Sequence, residues 1–138
     1  MDAFSILMKT GNAIGNLFFL IFGGFLIALE YFASGLLLCI TIVGIPFGYQ
    51  CMKIGISMLA PFGLQYESTD KQLAVGCIST LFNVIWMFTF GLILAIEHAL
   101  CGILLSITII GLPLGSQHFK LIGLAFAPFG KRLYREEY

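Results

Sequence analysis

The chain is 138 residues long, 59% hydrophobic and 10% charged, with a mean hydropathy of +1.01 and a formal net charge of zero. Soluble domains carry about 25% charged residues, and a fold this small hides only about two-thirds of its surface, so the apolar excess faces lipid or a partner. The balanced charge and the lack of a basic run exclude a nucleic-acid-binding surface.

Residues 11–29 are apolar apart from Asn12 and Asn16, which suits one membrane crossing of about 20 residues. Glu30 and Tyr31 end the run and Ser34-Gly35 can turn the chain, so Glu30 either caps a hairpin tip at the water interface, the favoured reading, or is an intramembrane carboxylate, which is costly and so functional. Lys9, the apolar run and Ala33-Ser34-Gly35 have the layout of a secretory signal, but a matching segment recurs in mid-chain, where signal cleavage does not act. A second apolar run, 36–43, breaks at Gly44-Ile45-Pro46, where glycine suits a helix C-terminus and proline the first turn of the next helix.

A third segment, 46–60, stops at Pro61-Phe62-Gly63. At 1.5 Å per residue it reaches about 22 Å, too short to span alone. Gln50, Lys53 and Ser57 fall at i, i+3 and i+7 and form one polar stripe. The segment either lies flat as an interfacial amphipathic helix or continues the 36–43 helix across the bilayer as a broken helix. LQYESTDKQ, residues 64–72, is a polar linker.

The chain then repeats itself at an offset of 67. Aligning 16–63 on 83–130 without a gap gives 19 identities in 48 positions, among them Asn16/Asn83, Gly24/Gly91, Glu30/Glu97, Gly35/Gly102, Thr41/Thr108, Gln50/Gln117 and Lys53/Lys120. Apolar bias would match Leu and Ile by chance, but not Glu, Gln, Lys and Asn in register. The organisation is a first repeat at 1–63, the linker at 64–72, and a second repeat at 73–138 ending in the charged tail KRLYREEY. In the second copy Gly111, Pro113 and Gly115 stand for Gly44, Pro46 and Gly48. Ser116, Gln117 and Lys120 renew the stripe with His118 beside it, and Glu97-His98 marks the second tip.

Each unit is predicted to cross out and back. The expected fold is an all-α integral membrane protein with about four crossings from two tandem parallel repeats, each a helical hairpin with a Gly-Pro break and an amphipathic end segment. Length of the apolar runs and lack of alternation argue against a membrane barrel. All seven cations, Lys9, Lys53, Lys71, Lys120, Lys131, Arg132 and Arg135, fall on the terminus-and-linker side and none on the tips. The positive-inside rule then puts both termini and the linker in the cytoplasm.

Cys39, Cys51, Cys77 and Cys101 lack CxxC spacing and read as small apolar residues. His98 and His118 have no partners at metal-ligand spacing, so no metal is expected. No catalytic constellation or phosphate-cradling loop is present, and neither an enzyme nor a cofactor is expected.

The segments ITIVGIPFGYQCMKIGISMLAPFG (40–63) and ITIIGLPLGSQHFKLIGLAFAPFG (107–130) resemble the YccF domain of bacterial inner-membrane proteins, through a shared G-[IL]-P-x-G…Q-x-x-K…P-F-G pattern. The resemblance covers essentially the whole chain. It implies a multi-pass protein of the bacterial inner membrane with two such repeats, and it carries over no reaction and no catalytic residues. Phe126-Ala127 departs from the pattern, where a Trp is expected near the second P-F-G.

Two functions fit. As a homo-oligomeric scaffold or accessory subunit, the chain uses Gly and Pro for packing and helix breaks, while Lys53 and Lys120 snorkel to anionic headgroups. Its partners are then the lipid bilayer, further copies of itself or another membrane protein. Gly11 and Gly15 form a small-xxx-small pair that favours close helix approach. As an oligomeric channel or small-solute pathway, the chain lines the route with its broken segments, through Gln50, Lys53, Gln117, His118 and Lys120.

Overall fold

The computed structural model describes residues 2–69 and 73–135. Helix α1 (Ala3–Phe19) starts on Asp2, whose Oδ1 accepts from the Ser5 N–H at 2.7 Å and so satisfies one of the open donors of the first turn. A π turn at Leu20–Gly24 leads into α2 (Phe25–Cys39), followed by α3 (Ile45–Met58) and strand β1 (Leu64–Ser68). The order then recurs: α4 (Leu73–Trp86), a π turn at Met87–Gly91, α5 (Leu92–Ser106), α6 (Leu112–Phe126) and β2 (Lys131–Arg135). Among the described residues, Ala3–Cys39 and Gly76–Ser106, 37 and 31 residues long, are the two helical paths apolar and long enough to cross a membrane. Most of their side chains face outward, as a lipid-solvated surface requires.

The reversal expected at Ser34-Gly35 is absent, and with it the hairpin tips at Glu30, Glu97 and His98. All of these residues are helical, in α2 and α5. The Ser34 hydroxyl bonds back to the Glu30 and Tyr31 carbonyls at 2.8 and 3.1 Å, which helices tolerate. Gly35 serves close approach, since a Cβ there would lie 3.0 Å from the Gly48 carbonyl oxygen on α3. The chain turns instead at residues 40–44 and 107–111, so that α2 packs antiparallel on α3 and α5 on α6. Segments 46–60 and 113–127 are thus the return limbs of short hairpins.

The run 11–29 is not one uninterrupted helix either. Phe22 (φ −97°, ψ 52°) and Gly23 (φ 114°) leave helical geometry inside the π turn. Gly23 is left-handed, a conformation open to glycine at little cost. Phe90 holds the equivalent place in the second copy and keeps a negative φ.

The all-α expectation is also corrected. Residues 64–68 form a strand rather than a linker loop, paired antiparallel with 131–135 (Leu64↔Arg135, Tyr66↔Leu133, Ser68↔Lys131). Residues 70–72 and 136–138 lie outside the described residues. Exchanging each strand residue for its equivalent 67 positions away maps this register onto itself. A pseudo-two-fold axis therefore passes between Tyr66 and Leu133. The two repeats cross-pack around it, with Tyr31 stacked on Trp86 (6.0 Å between centroids) and Phe47 on Phe82 (3.8 Å). Glu67 and Arg132 pair across the strands in the open, a contact of about 0–1 kcal/mol.

Trp86 is buried, and its Nε1–H donates to the Ala125 carbonyl in the last turn of α6 at 2.8 Å. Trp86→Phe keeps a ring but strands that carbonyl. The expected loss is about 1–3 kcal/mol, read from unfolding in detergent titrated with SDS; a loss within error would mean the hydrogen bond carries nothing.

Candidate functional site

The P-F-G segments end α3 and α6 and swing the chain into the strands, with Gly63 and Gly130 left-handed at φ 83° and 80°. Each turn is tied to its own repeat by an asparagine. Asn83 Oδ1 accepts from the Phe129 N–H at 2.9 Å and its Nδ2 donates to the Phe129 carbonyl at 3.0 Å; Asn16 Oδ1 accepts from the Phe62 N–H at 2.7 Å. These asparagines recur in register in the sequence, but their partners lie 46 residues away and only the fold brings them together.

Each turn also points two carbonyls toward the other repeat, and the polar stripes meet them. Lys120 Nζ donates to the Pro61 and Leu64 carbonyls at 3.1 and 2.8 Å. Gln50 Nε2 donates to the equivalent pair, Pro128 and Lys131, at 3.0 Å each. Tyr66 in β1 adds a bond from its hydroxyl to the Lys120 carbonyl at 2.7 Å, and burial pushes the Tyr66 phenol up from its ordinary range. The stripes thus act as crossed latches. Their symmetry is incomplete: the first latch uses lysine and the second glutamine. Lys120 is turned inward and does not snorkel. Lys53 stays exposed, its Nζ 5.3 Å from the Tyr49 ring centroid, and Gln117 Oε1 is buried without a hydrogen-bond partner among the described residues.

The Gly-Pro breaks form the hairpin turns, each capped by one of the threonines that recur in register. The Gly44 N–H donates to Thr41 Oγ1 and the Gly111 N–H to Thr108 Oγ1, both at 3.0 Å. Gly48 N–H and Gly115 N–H donate to the Gly44 and Gly111 carbonyls at 2.7 and 2.8 Å, past Pro46 and Pro113 in the first helical turn. With these backbone groups and the threonine hydroxyls hydrogen-bonded, the tips project mostly apolar side chains: Ile42 is 86% and Ile110 89% exposed. A turn of this kind suits hydrocarbon, which satisfies no backbone group itself.

His98 and His118, 20 residues apart in the sequence, form one buried pair with their Nδ1 atoms 3.0 Å apart. His118 Nε2 lies 3.1 Å from the Phe22 carbonyl that the Gly23 break frees. A carbonyl only accepts, so His118 Nε2 carries the proton; in the neutral pair its Nδ1 then accepts from His98 Nδ1–H. Gly23 gives the room, as a Cβ there would meet Cys101 Sγ and His118 Cε1, each at 3.2 Å. Glu30 and Glu97 are equivalent residues of the two repeats, on α2 and α5, helices that touch one another. Among the described residues no group of three or more His, Cys, Asp or Glu could hold a metal ion.

The family model for YccF, an inner membrane component domain, matches residues 14–64 and again residues 81–131. The chain belongs to the YccF family. It is 29% identical over 128 residues to the inner membrane protein YccF of Escherichia coli (strain K12), an alignment covering 88% of this chain and 86% of that protein. The same figures hold for the inner membrane protein YccF of Shigella flexneri. No solved structure matches. Each YccF domain match runs from beside the asparagine that ties its P-F-G turn to the start of its strand, so the crossed latches join two whole YccF domains.

Proposed function

We propose that this YccF protein is a rigid, non-conducting membrane scaffold that assembles with further copies of itself. The observation that carries this reading is the use of the polar stripe. Gln50 and Lys120, the residues best suited to line a pathway, are committed to backbone carbonyls of the opposite repeat, so little polar surface is left to solvate a passing ion. In this reading the sheet, with Lys131, Arg132 and Arg135, and both termini face the cytoplasm. The hairpin tips lie in hydrocarbon, and the pseudo-two-fold axis follows the membrane normal.

The test is reconstitution into liposomes under imposed potassium and proton gradients, with subunit number counted in parallel by native mass spectrometry. The expected result is a defined oligomer with flux no greater than that of empty vesicles. Flux that Lys53→Gln or the paired Pro46→Ala and Pro113→Ala changes would instead support the oligomeric channel, and a strictly monomeric protein would defeat the assembly claim. Lys120→Met should cost about 1.5–3 kcal/mol, the range for a hydrogen bond to a charged group, and leave vesicle permeability untouched.

A further inference from the structure

The two repeats form two equivalent grooves whose chemistry has diverged. One lies between the first hairpin tip, α4 and β2, with a volume of about 700 Å³. The other lies between the second tip, α1 and Phe62 of the first P-F-G turn, at about 630 Å³. Part of their lining corresponds at the 67-residue offset: Val43 with Ile110, Pro46 with Pro113, Phe47 with Leu114, Phe129 with Phe62.

The second groove is lined almost entirely by apolar groups. In the first, Lys131 and Arg132 occupy the strand positions that are Leu64 and Gln65 in the other repeat. The asymmetric latch adds a third cation. Because Gln50 bonds the Pro128 and Lys131 carbonyls, Lys53 is released to the groove, whereas its equivalent Lys120 is turned into the latch on the other side. No Asp or Glu lines the first groove among the described residues. Glu67 pairs with Arg132 from outside it; Lys131 Nζ is held by the Ser68 hydroxyl at 2.9 Å and Lys53 by the Tyr49 ring, neutral partners that an anion displaces.

We propose that this first groove binds one anionic phospholipid, with its phosphate among Lys53, Lys131 and Arg132 and its acyl chains running over Phe47 and Ile78 to the exposed tip at Ile42 and Val43. This goes beyond the scaffold reading and stands whether or not the protein conducts. The charge selects the phosphate, and a zwitterionic lipid gains less because its ammonium meets the same three cations. The apolar floor selects a lipid over a soluble phosphate ester. The groove runs from the cationic strand to a tip that is 86% exposed at Ile42, so an acyl chain enters sideways from the bilayer. The volume lies within the usual size of a small-ligand site, about 300–1,000 Å³, enough for the headgroup and the first methylenes. Juxtamembrane cations near a membrane surface strengthen anionic-lipid binding about fivefold each.

The experiment is native mass spectrometry of the full chain in mild detergent, titrated with phosphatidylglycerol or with phosphatidylcholine of the same acyl chains. One phosphatidylglycerol should be retained in preference to phosphatidylcholine. Its affinity should fall about fivefold in Lys53→Gln and about 25-fold in Lys53→Gln with Lys131→Gln, with Lys9→Gln unchanged. Equal retention of the two lipids, or no change in Lys53→Gln, overturns the proposal. So does glycerol phosphate or inorganic phosphate that competes at the lipid's own concentration, which would make the site one for a free anion. Should the double variant not stay monodisperse, Lys53→Gln decides alone, since its side chain is exposed.

Discussion

Gly48→Ala should destabilise the protein by about 3 kcal/mol, the upper end of the range for overpacking, while Gly11→Ala should stabilise it by about 0.5–1 kcal/mol. Both place one methyl group on a helix of an apolar chain, so hydrophobicity does not separate them; space does. A Cβ on Gly48 would lie 2.5 Å from the Gly35 carbonyl oxygen and 2.5 Å from Cys39 Sγ, both on α2, whereas a Cβ on Gly11 meets nothing within 4 Å. The Gly35 oxygen is helix backbone and yields only if α2 and α3 part. In lipid, where apolar side chains gain nothing by leaving the solvent, that close backbone approach is the main attraction between the helices. The repeat predicts its own control: Gly115→Ala should behave like Gly48→Ala, since its Cβ would lie 2.7 Å from the Gly102 oxygen. SDS-titrated unfolding of the three variants decides it. Equal stabilities for Gly48→Ala and Gly11→Ala would mean that the hairpin is not held by this contact.

His118→Ala is the second large effect. It removes a side chain with no exposure, leaves the Phe22 carbonyl and His98 Nδ1 without their partner, and opens a cavity beneath Phe19, whose ring stacks on His118 at 4.3 Å. Cavity and stranded polar groups together are expected to cost about 3–5 kcal/mol. The first repeat offers a compensating pair. Tyr31 and Cys51 stand at the positions of His98 and His118, so His98→Tyr and His118→Cys together transplant it. Each single change should destabilise, and the double should be milder than the sum by about 0.5–3 kcal/mol. Strict additivity would mean that the two histidines contribute separately and that the Nδ1–Nδ1 contact has no energetic weight.

The membrane class, the duplication and the break points were legible in the sequence because each has a local or periodic cause. Apolar excess over runs of about 20 residues, identities at one fixed offset, and Gly-x-Pro as a helix stop all act within a few residues of where they are read. The site residues were legible as residue types too: the stripe of Gln50 and Lys53, its repeat at Gln117 and Lys120, and both histidines were singled out. Their partners were not. The bonds of Gln50 span 78 and 81 residues, those of Lys120 span 59 and 56, and the strand pairing joins residues 63–71 apart. Periodicity records which face of a helix is polar but not what that face meets, and LQYES reads as a loop until a second strand supplies its ladder.

The same limit moved the hairpin tips. Glu30 and Ser34-Gly35 carry turn-like chemistry, yet Ser34 satisfies its hydroxyl on its own helix and Gly35 serves the neighbouring backbone, so the reversal passed to the Thr-x-x-Gly-x-Pro turns. By itself, then, the sequence determined that this is a duplicated, lipid-solvated helical chain with one polar stripe per repeat. Only the tertiary structure decided that each stripe locks the opposite repeat, that the lock is lysine on one side and glutamine on the other, and that one groove is therefore cationic and its twin apolar. The reason is physical: a duplicated sequence is equivalent to its copy until the two fold against each other, and from then on each position has a different neighbour.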